Sequence, residues 1–175
     1  MKIFKIALLL CTPLLLLSCA KNSPLNEDDP ELVGTDKIVE IHLSYGKHAD
    51  KFNLLTSYQV IKADGALPSD FQVSGISSEP AIDLPVSKVY YIEDRPLTQS
   101  EVTYITSHPV SEAGILLLLT SDDPAFSELD VTVTFRVAGK VVDSPRVLTL
   151  TTDLEKVQGL SVDNARPGKL SEPED

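Results

Sequence analysis

Residues 129–137 read Leu-Asp-Val-Thr-Val-Thr-Phe-Arg-Val, with Leu129, Val131, Val133, Phe135 and Val137 on one parity and Asp130, Thr132, Thr134 and Arg136 on the other. Successive side chains of an extended strand point to opposite faces. A period of two therefore describes a strand with one face against a core and the other in water. Ala138-Gly139-Lys140 then turns the chain, and Arg146 to Thr152 returns with Leu148 and Leu150 on one parity against Thr149 and Thr151. The two segments predict a hairpin or a closely spaced strand pair.

The same period recurs outward from this stretch. Val39, Ile41, Leu43 and Tyr45 alternate with Glu40, His42 and Ser44, and after a polar turn Phe52, Leu54, Thr56, Tyr58 and Val60 share one parity. Phe71, Val73 and Gly75 begin a shorter strand, and Val86 to Ile92 is β-branched and aromatic. Ile115 to Leu119 is a continuous apolar run bounded by Gly114 and Ser121-Asp122-Asp123-Pro124. Its length and lack of alternation predict a central strand covered on both faces. Residues 98–107 admit two readings. Thr98 and Glu101 have the spacing of a helix capping box, but Val102-Thr103-Tyr104-Ile105-Thr106 favours extended structure, and a strand is expected. Seven to eight strands separated by Pro, Gly, Asp and Ser turns predict an all-β chain, a β-sandwich over residues 37–164.

Glu112-Ala113-Gly114 running into a hydrophobic strand resembles the turn before the sixth strand of many immunoglobulin-like domains. The resemblance implies an immunoglobulin-like sandwich. Leu116 stands where that pattern has Tyr, so the tyrosine corner of that family is missing.

The chain has 175 residues, 26 acidic against 15 basic, and a formal net charge of −11. Such a surface repels phosphate, which excludes a nucleic-acid partner. The first eighteen residues differ from the rest: Lys2 and Lys5 flank an apolar run from Ile6 to Leu17, broken by Pro13 and closed by Ser18 and Cys19. That is the outline of an export signal, and the run falls short of the roughly 20 apolar residues a spanning helix needs.

Leu16-Leu17-Ser18-Cys19 resembles the lipobox of bacterial lipoproteins. The resemblance implies cleavage before Cys19, so that 1–18 is a signal peptide, and acylation of Cys19, including palmitate. Cys11 follows the bulky Leu10 with too little leader before it and does not fit. Two or more acyl chains anchor a protein stably, where one binds only marginally. Ala20 and Lys21 lack the aspartate that retains enteric lipoproteins at the inner membrane, which implies the outer membrane. The acidic cluster Glu27, Asp28, Asp29 resembles surface-export tags of Gram-negative lipoproteins, and the face that displays the domain stays open. Residues 19–36 read as the lipidated start of a flexible acidic tether, and 165–175 as a disordered tail. With Cys11 removed and Cys19 acylated, no cysteine pair remains to oxidise, so stability must come from packing.

Groups able to do chemistry are sparse. His42, His48 and His108 are the side chains suited to proton transfer near neutral pH, but none stands in a metal-ligand spacing, and each is expected at the surface. The sequence holds no nucleophile elbow, Ser-x-x-Lys motif, zinc-binding helix motif or phosphate-binding glycine loop. Asp122, Asp123 and Asp130 crowd one connection, yet the spacing of a calcium loop is missing and a solvated acidic turn is expected. No metal or cofactor is implied. Tyr90 and Tyr91 are consecutive on a strand, so one should face the core and the other outward, where a ring could stack on a sugar.

The expectation is a non-enzymatic outer-membrane lipoprotein, held in the membrane by lipid on Cys19, that serves as an interaction or envelope-structural module for a protein or glycan. One alternative is a glycan-binding surface lipoprotein accessory to nutrient uptake, with Tyr90 or Tyr91 as contact. Another is a surface-fibre subunit or anchor.

Overall fold

Alternation along 129–137 becomes burial. In the strand Glu128–Val137, Leu129, Val131, Val133 and Phe135 are buried while Glu128 and Asp130 are exposed. Each such side chain removed from water contributes roughly 1.5–3 kcal/mol. The computed structural model describes residues 36–153, 157–163 and 170–171. The leader, Cys19 and the tether as far as residue 35 lie outside the described residues. So does the tail, apart from Leu170 and Ser171.

In chain order the strands are β1 (Val39–Tyr45), β2 (Asn53–Ile61), β3 (Val73–Ser74), β4 (Ile82–Leu84), β5 (Ser87–Asp94), β6 (Glu101–Thr106), β7 (Glu112–Thr120), β8 (Glu128–Val137), β9 (Lys140–Thr151), β10 (Gln158–Asp163) and β11 (Leu170–Ser171). They form two antiparallel sheets, ordered β3-β6-β1-β8-β9 and β11-β10-β7-β2-β5-β4. Among the described residues there is no α-helix, only a short 3-10 turn at Ala49–Lys51. One apolar core draws on both sheets: Ile41, Leu43, Tyr104, Val133 and Phe135 from the first, and Leu54, Tyr58, Ile115, Leu117 and Leu119 from the second. The rings of Tyr58 and Tyr104 meet across it, 5.5 Å between centroids.

Ile115 to Leu119 are all buried, and β7 lies between β10 and β2. Ile115, Leu117 and Leu119 enter the core. Leu116 lies over β10, where Gly159 has no side chain to obstruct it. Residues 101–106 take the extended reading, as β6 beside β1, because Tyr104 and Thr106 then fall inward. Val39 N–H donates to the Thr106 hydroxyl at 3.1 Å.

The return strand differs from the sequence reading. It starts at Lys140, directly after a two-residue turn in which Ala138 (φ 49°) and Gly139 (φ 78°) both take left-handed backbone, the geometry of a type I′ hairpin. Asp143-Ser144-Pro145 looks like a strand breaker, yet it is absorbed as an irregularity between the Val133 and Phe135 pairings. Asp143 sits at φ 58° there, and an edge strand tolerates the missing proline N–H.

The register fixes two ends. Ser44 pairs with Glu101, Leu54 with Asp94, Asn53 with Thr120 and Glu128 with Thr151. The connections β1–β2, β5–β6, β7–β8 and β9–β10 therefore all cross between the sheets at one end, the far end. The chain enters at the opposite, near end, where Lys37 pairs with Val110 through reciprocal hydrogen bonds of 3.0 and 2.9 Å.

Candidate functional site

Three of the four far-end connections bound a cleft of about 490 Å³ lined by Asp50, Lys51, Asn53, Arg95, Pro96, Asp122 and Asp123. The 3-10 turn brings Asp50 and Lys51 into an ion pair of 3.1 Å. Asn53 opens β2 and donates its amide N–H to Asp122 at 3.4 Å. The β7–β8 connection is shaped by its own polar groups: Ser121 Oγ donates to the Lys51 carbonyl at 2.9 Å, and Asp123 Oδ1 accepts the Ala125 N–H at 2.9 Å. Phe126 pins the loop from beneath by packing edge-on against the buried Phe52. Pockets for drug-like ligands are mostly apolar. This lining is dominated by charge and amide groups, which suits a hydrophilic partner.

Beyond the β5–β6 connection lies a second, smaller concavity of about 60 Å³, lined by Tyr45, Gly75, Ile92, Asp94, Leu97, Thr98, Gln99, Val102 and Tyr104. Asp94 ends β5 on the same parity as Tyr90 and Ile92, so its carboxylate is carried toward the space between the sheets. No hydrogen bond or ion pair joins it to another described residue, and burial raises its pKa above the ordinary carboxylate value. The hydroxyls of Tyr45 and Tyr104 are buried and likewise lack a hydrogen-bonding partner among the described residues. Thr56 Oγ1 is near the Tyr104 hydroxyl without meeting it in hydrogen-bonding geometry. Burial, reinforced by the Asp94 charge, pushes Tyr104 up to about 12. Burial, then Tyr104 and Asp94, raises Tyr45 as well. Gly75 (φ 89°) closes one wall, because a Cβ there would collide with the Thr103 carbonyl.

The residues singled out from sequence scatter over this frame. Tyr90 is buried and packs against Tyr58 at 6.4 Å, whereas Tyr91 is half-buried on the opposite face of β5. His42 meets Thr103 Oγ1 at 2.9 Å and Glu101 at 3.7 Å on the outer side of the first sheet. His48 stacks at a tilt on Phe126 in the β1–β2 connection. His108, in the β6–β7 connection at the other end, lies 3.0 Å from Ser107 Oγ and 3.6 Å from Asp70. The fold does not bring the three histidines together. Asp130 accepts from the Thr149 hydroxyl at 2.7 Å on the face of β8, so it leaves Asp122 and Asp123, and Asp50 and Asn53 take its place beside them. Among the described residues no three His, Cys, Asp or Glu side chains converge as a metal site.

Sequence reasoning passed over Asp94, Tyr45 and Tyr104 as a group. One signal was available: extending the Val86–Ile92 strand by two residues puts a carboxylate on the core-facing parity, where burial is costly without a partner.

No family model and no curated protein matches the sequence. Solved structures resemble the fold. A DUF4425 family protein from Bacteroides ovatus aligns with a TM-score of 0.50 at 14% identity, covering 74% of this chain and 96% of that one. A DUF4425 domain of unknown function from Bacteroides vulgatus gives 0.49 at 16% identity, covering 73% and 94%. The calcium-bound form of a protein from Parabacteroides distasonis gives 0.45 at 17%, covering 71% and 88%. At such identities the Bacteroides ovatus likeness speaks to fold alone, and the two lower scores carry no argument.

Proposed function

We propose that this chain is a non-enzymatic outer-membrane lipoprotein, anchored by acylated Cys19, whose immunoglobulin-like sandwich engages a hydrophilic partner through its far end. The observation that carries the reading is polarity. The tether joins the domain at Asp36–Lys37, and the cleft lies at the other end of β1. Seven strand residues separate the two ends by roughly 20 Å. Attachment at the end opposite the cleft leaves the mixed-charge cleft unobstructed by the tether and free to meet a partner.

Immunoglobulin-like is meant here at the level of architecture: two facing antiparallel sheets with loops gathered at the ends. The strand order is its own, because β1 and β2 lie in different sheets, whereas an immunoglobulin domain keeps its first two strands in one.

The polar lining favours one further reading, a hydroxyl-rich glycan, with Asp50, Asn53, Arg95 and Asp122 as hydrogen-bonding groups. Tyr91, on the outer face of β5, is remote in role from that cleft. A strand-exchanging fibre subunit is less favoured. Edge strands β3, β4 and β11 are two or three residues long, and β9 carries Pro145 and a bulge, devices that block edge pairing.

Mass spectrometry of the N-terminal peptide, combined with site-specific photocrosslinking in intact cells, tests the reading. Acyl mass on Cys19, lost in Cys19→Ala, and crosslinks from a probe at Asp123 but not from one at Lys140, are expected. An unacylated Cys19, or equal crosslinking from both ends, overturns it.

A further inference from the structure

The large apolar side chains exposed among the described residues are Leu84, Val86, Ile105, Val141 and Val147. Apolar residues scattered singly over a surface need no explanation, but these are not scattered. Leu84 and Val86 flank Pro85 at the tip of the β4–β5 hairpin, where Leu84 pairs with Ser87 and Ser87 with Ile61, the last residue of β2. Val141 follows the β8–β9 turn and pairs with Arg136, Arg136 pairs with Glu40, and Glu40 with Ile105. All four therefore lie at the near end, the end where the Lys37–Val110 pairing brings the chain in. Val147 differs, because it pairs with Thr132, and Thr132 with Ser44, toward the far end.

Two further features suit the near end to an apolar surrounding. Pro85 has no N–H, its carbonyl accepts from the Leu67 N–H at 2.7 Å, and the Val86 carbonyl accepts from the Lys62 N–H at 2.8 Å. Both tip carbonyls are thus paired within the fold, which lowers the cost of taking the tip out of water. Carboxylates set among these residues also have cationic partners: Asp83 with Lys88, Asp36 with Lys62, and Glu40 with Arg136.

We propose that the near end rests on a lipid surface, with the Leu84-Pro85-Val86 tip and Val141 seated among headgroups of net-neutral lipid. The occupant is lipid because of where the chain beyond the described residues leads. Cys19 stands seventeen residues before Asp36, so an acyl group on it lies within about 60 Å of the near end by covalent reach alone. The inference rests on the lipid-anchor reading and deepens it. The anchor raises the local concentration of membrane, and the apolar tips then orient the domain, with the far-end cleft toward the aqueous side. A chain of net charge −11 is repelled by anionic headgroups, so the contact is apolar and not electrostatic.

The test uses the chain as isolated from cells, placed in nanodiscs of phosphatidylcholine and phosphatidylethanolamine. Mass spectrometry of its N-terminal peptide is read first, and relaxation of methyl resonances by a headgroup spin-labelled lipid second. Val147, exposed but distant from the near end, is the internal control. Acyl mass on Cys19, and relaxation of Leu84, Val86 and Val141 at least fivefold above that of Val147, are expected. Leu84→Ser combined with Val86→Ser, matched to the native chain by circular dichroism, should lower the effect at Val141 at least threefold. A chain without acyl mass overturns the anchor reading and this proposal with it. Acylated Cys19 with equal relaxation at Val141 and Val147, or a serine variant that behaves as the native chain does, leaves the anchor standing and overturns the seating alone. Relaxation that appears only after phosphatidylglycerol is added also overturns it, because the contact would then be electrostatic.

Discussion

Two aspartates at opposite ends of the molecule have opposite surroundings. Asp36, at the near end, accepts from the Ser111 hydroxyl at 2.7 Å and forms an ion pair with Lys62. Burial pushes its carboxyl up, but the hydrogen bonds from Lys62 and Ser111 and the charges of Lys62 and Lys37 outweigh it, so its pKa lies below the ordinary value. Asp94, at the far end, is subject to burial without that compensation, and its pKa lies above it. The first carboxylate is part of how the chain is fastened to the domain. The second is desolvated without a partner to offset it.

The largest effect should come from removing the wall that makes Asp94's surroundings what they are. Tyr104→Ala takes a fully buried ring out of the core and should cost about 3–5 kcal/mol in urea unfolding. A loss below about 1 kcal/mol would mean that the far-end chamber is not packed as described. Next comes the fastening. Asp36→Ala should cost about 1 kcal/mol, toward the low side for a charged hydrogen bond because solvent reaches the pair. If unfolding shows no change, Asp36 holds nothing and the contrast with Asp94 disappears.

Acid titration separates the two carboxylates by sign. A lowered pKa gives stability that is present above the unfolded value, about 3.9, and lost as pH falls through the folded value. A raised pKa does the reverse. The penalty at Asp94 is full above its folded value and relieved as pH falls toward about 3.9. Asp94→Asn should therefore leave stability at neutral pH unchanged or raised by a few tenths of a kcal/mol, and should remove a stabilising slope between the folded and unfolded pKa values. Asp36→Asn should flatten the loss below that window. Identical pH profiles for the two variants would refute the contrast.

The smallest effect belongs to the near-end hairpin. Ala138→Asn puts a residue tolerant of left-handed backbone at φ 49° and should raise stability by about 0.5 kcal/mol without altering the Tyr45 and Tyr104 resonances. A destabilised variant would argue against the type I′ turn.

Much of the fold was legible because strand period and burial are the same physical fact. The parities of 39–45, 52–60 and 129–135 became the core-facing rows of β1, β2 and β8, and the unbroken run 115–119 became an interior strand. The return strand is expected from Arg146 but starts at Lys140, because Pro145 and the left-handed Asp143 are tolerable in an edge strand, and edge position is not written locally. Of the candidate site almost nothing was legible. Asp94 and Tyr45 belong to opposite sheets, and Asp50 lies far along the chain from Asp122, so no spacing links them.

By itself the sequence determined which segments extend, which face of each turns inward, and that the chain is all-β, since these follow from residue-by-residue alternation and turn chemistry. The tertiary structure alone decided the strand order, the gathering of four crossovers at one end, and the meeting of one carboxylate with two phenols in a shared space. Those depend on pairings between distant segments, whose free energy is set by the whole core and not by any window of the chain.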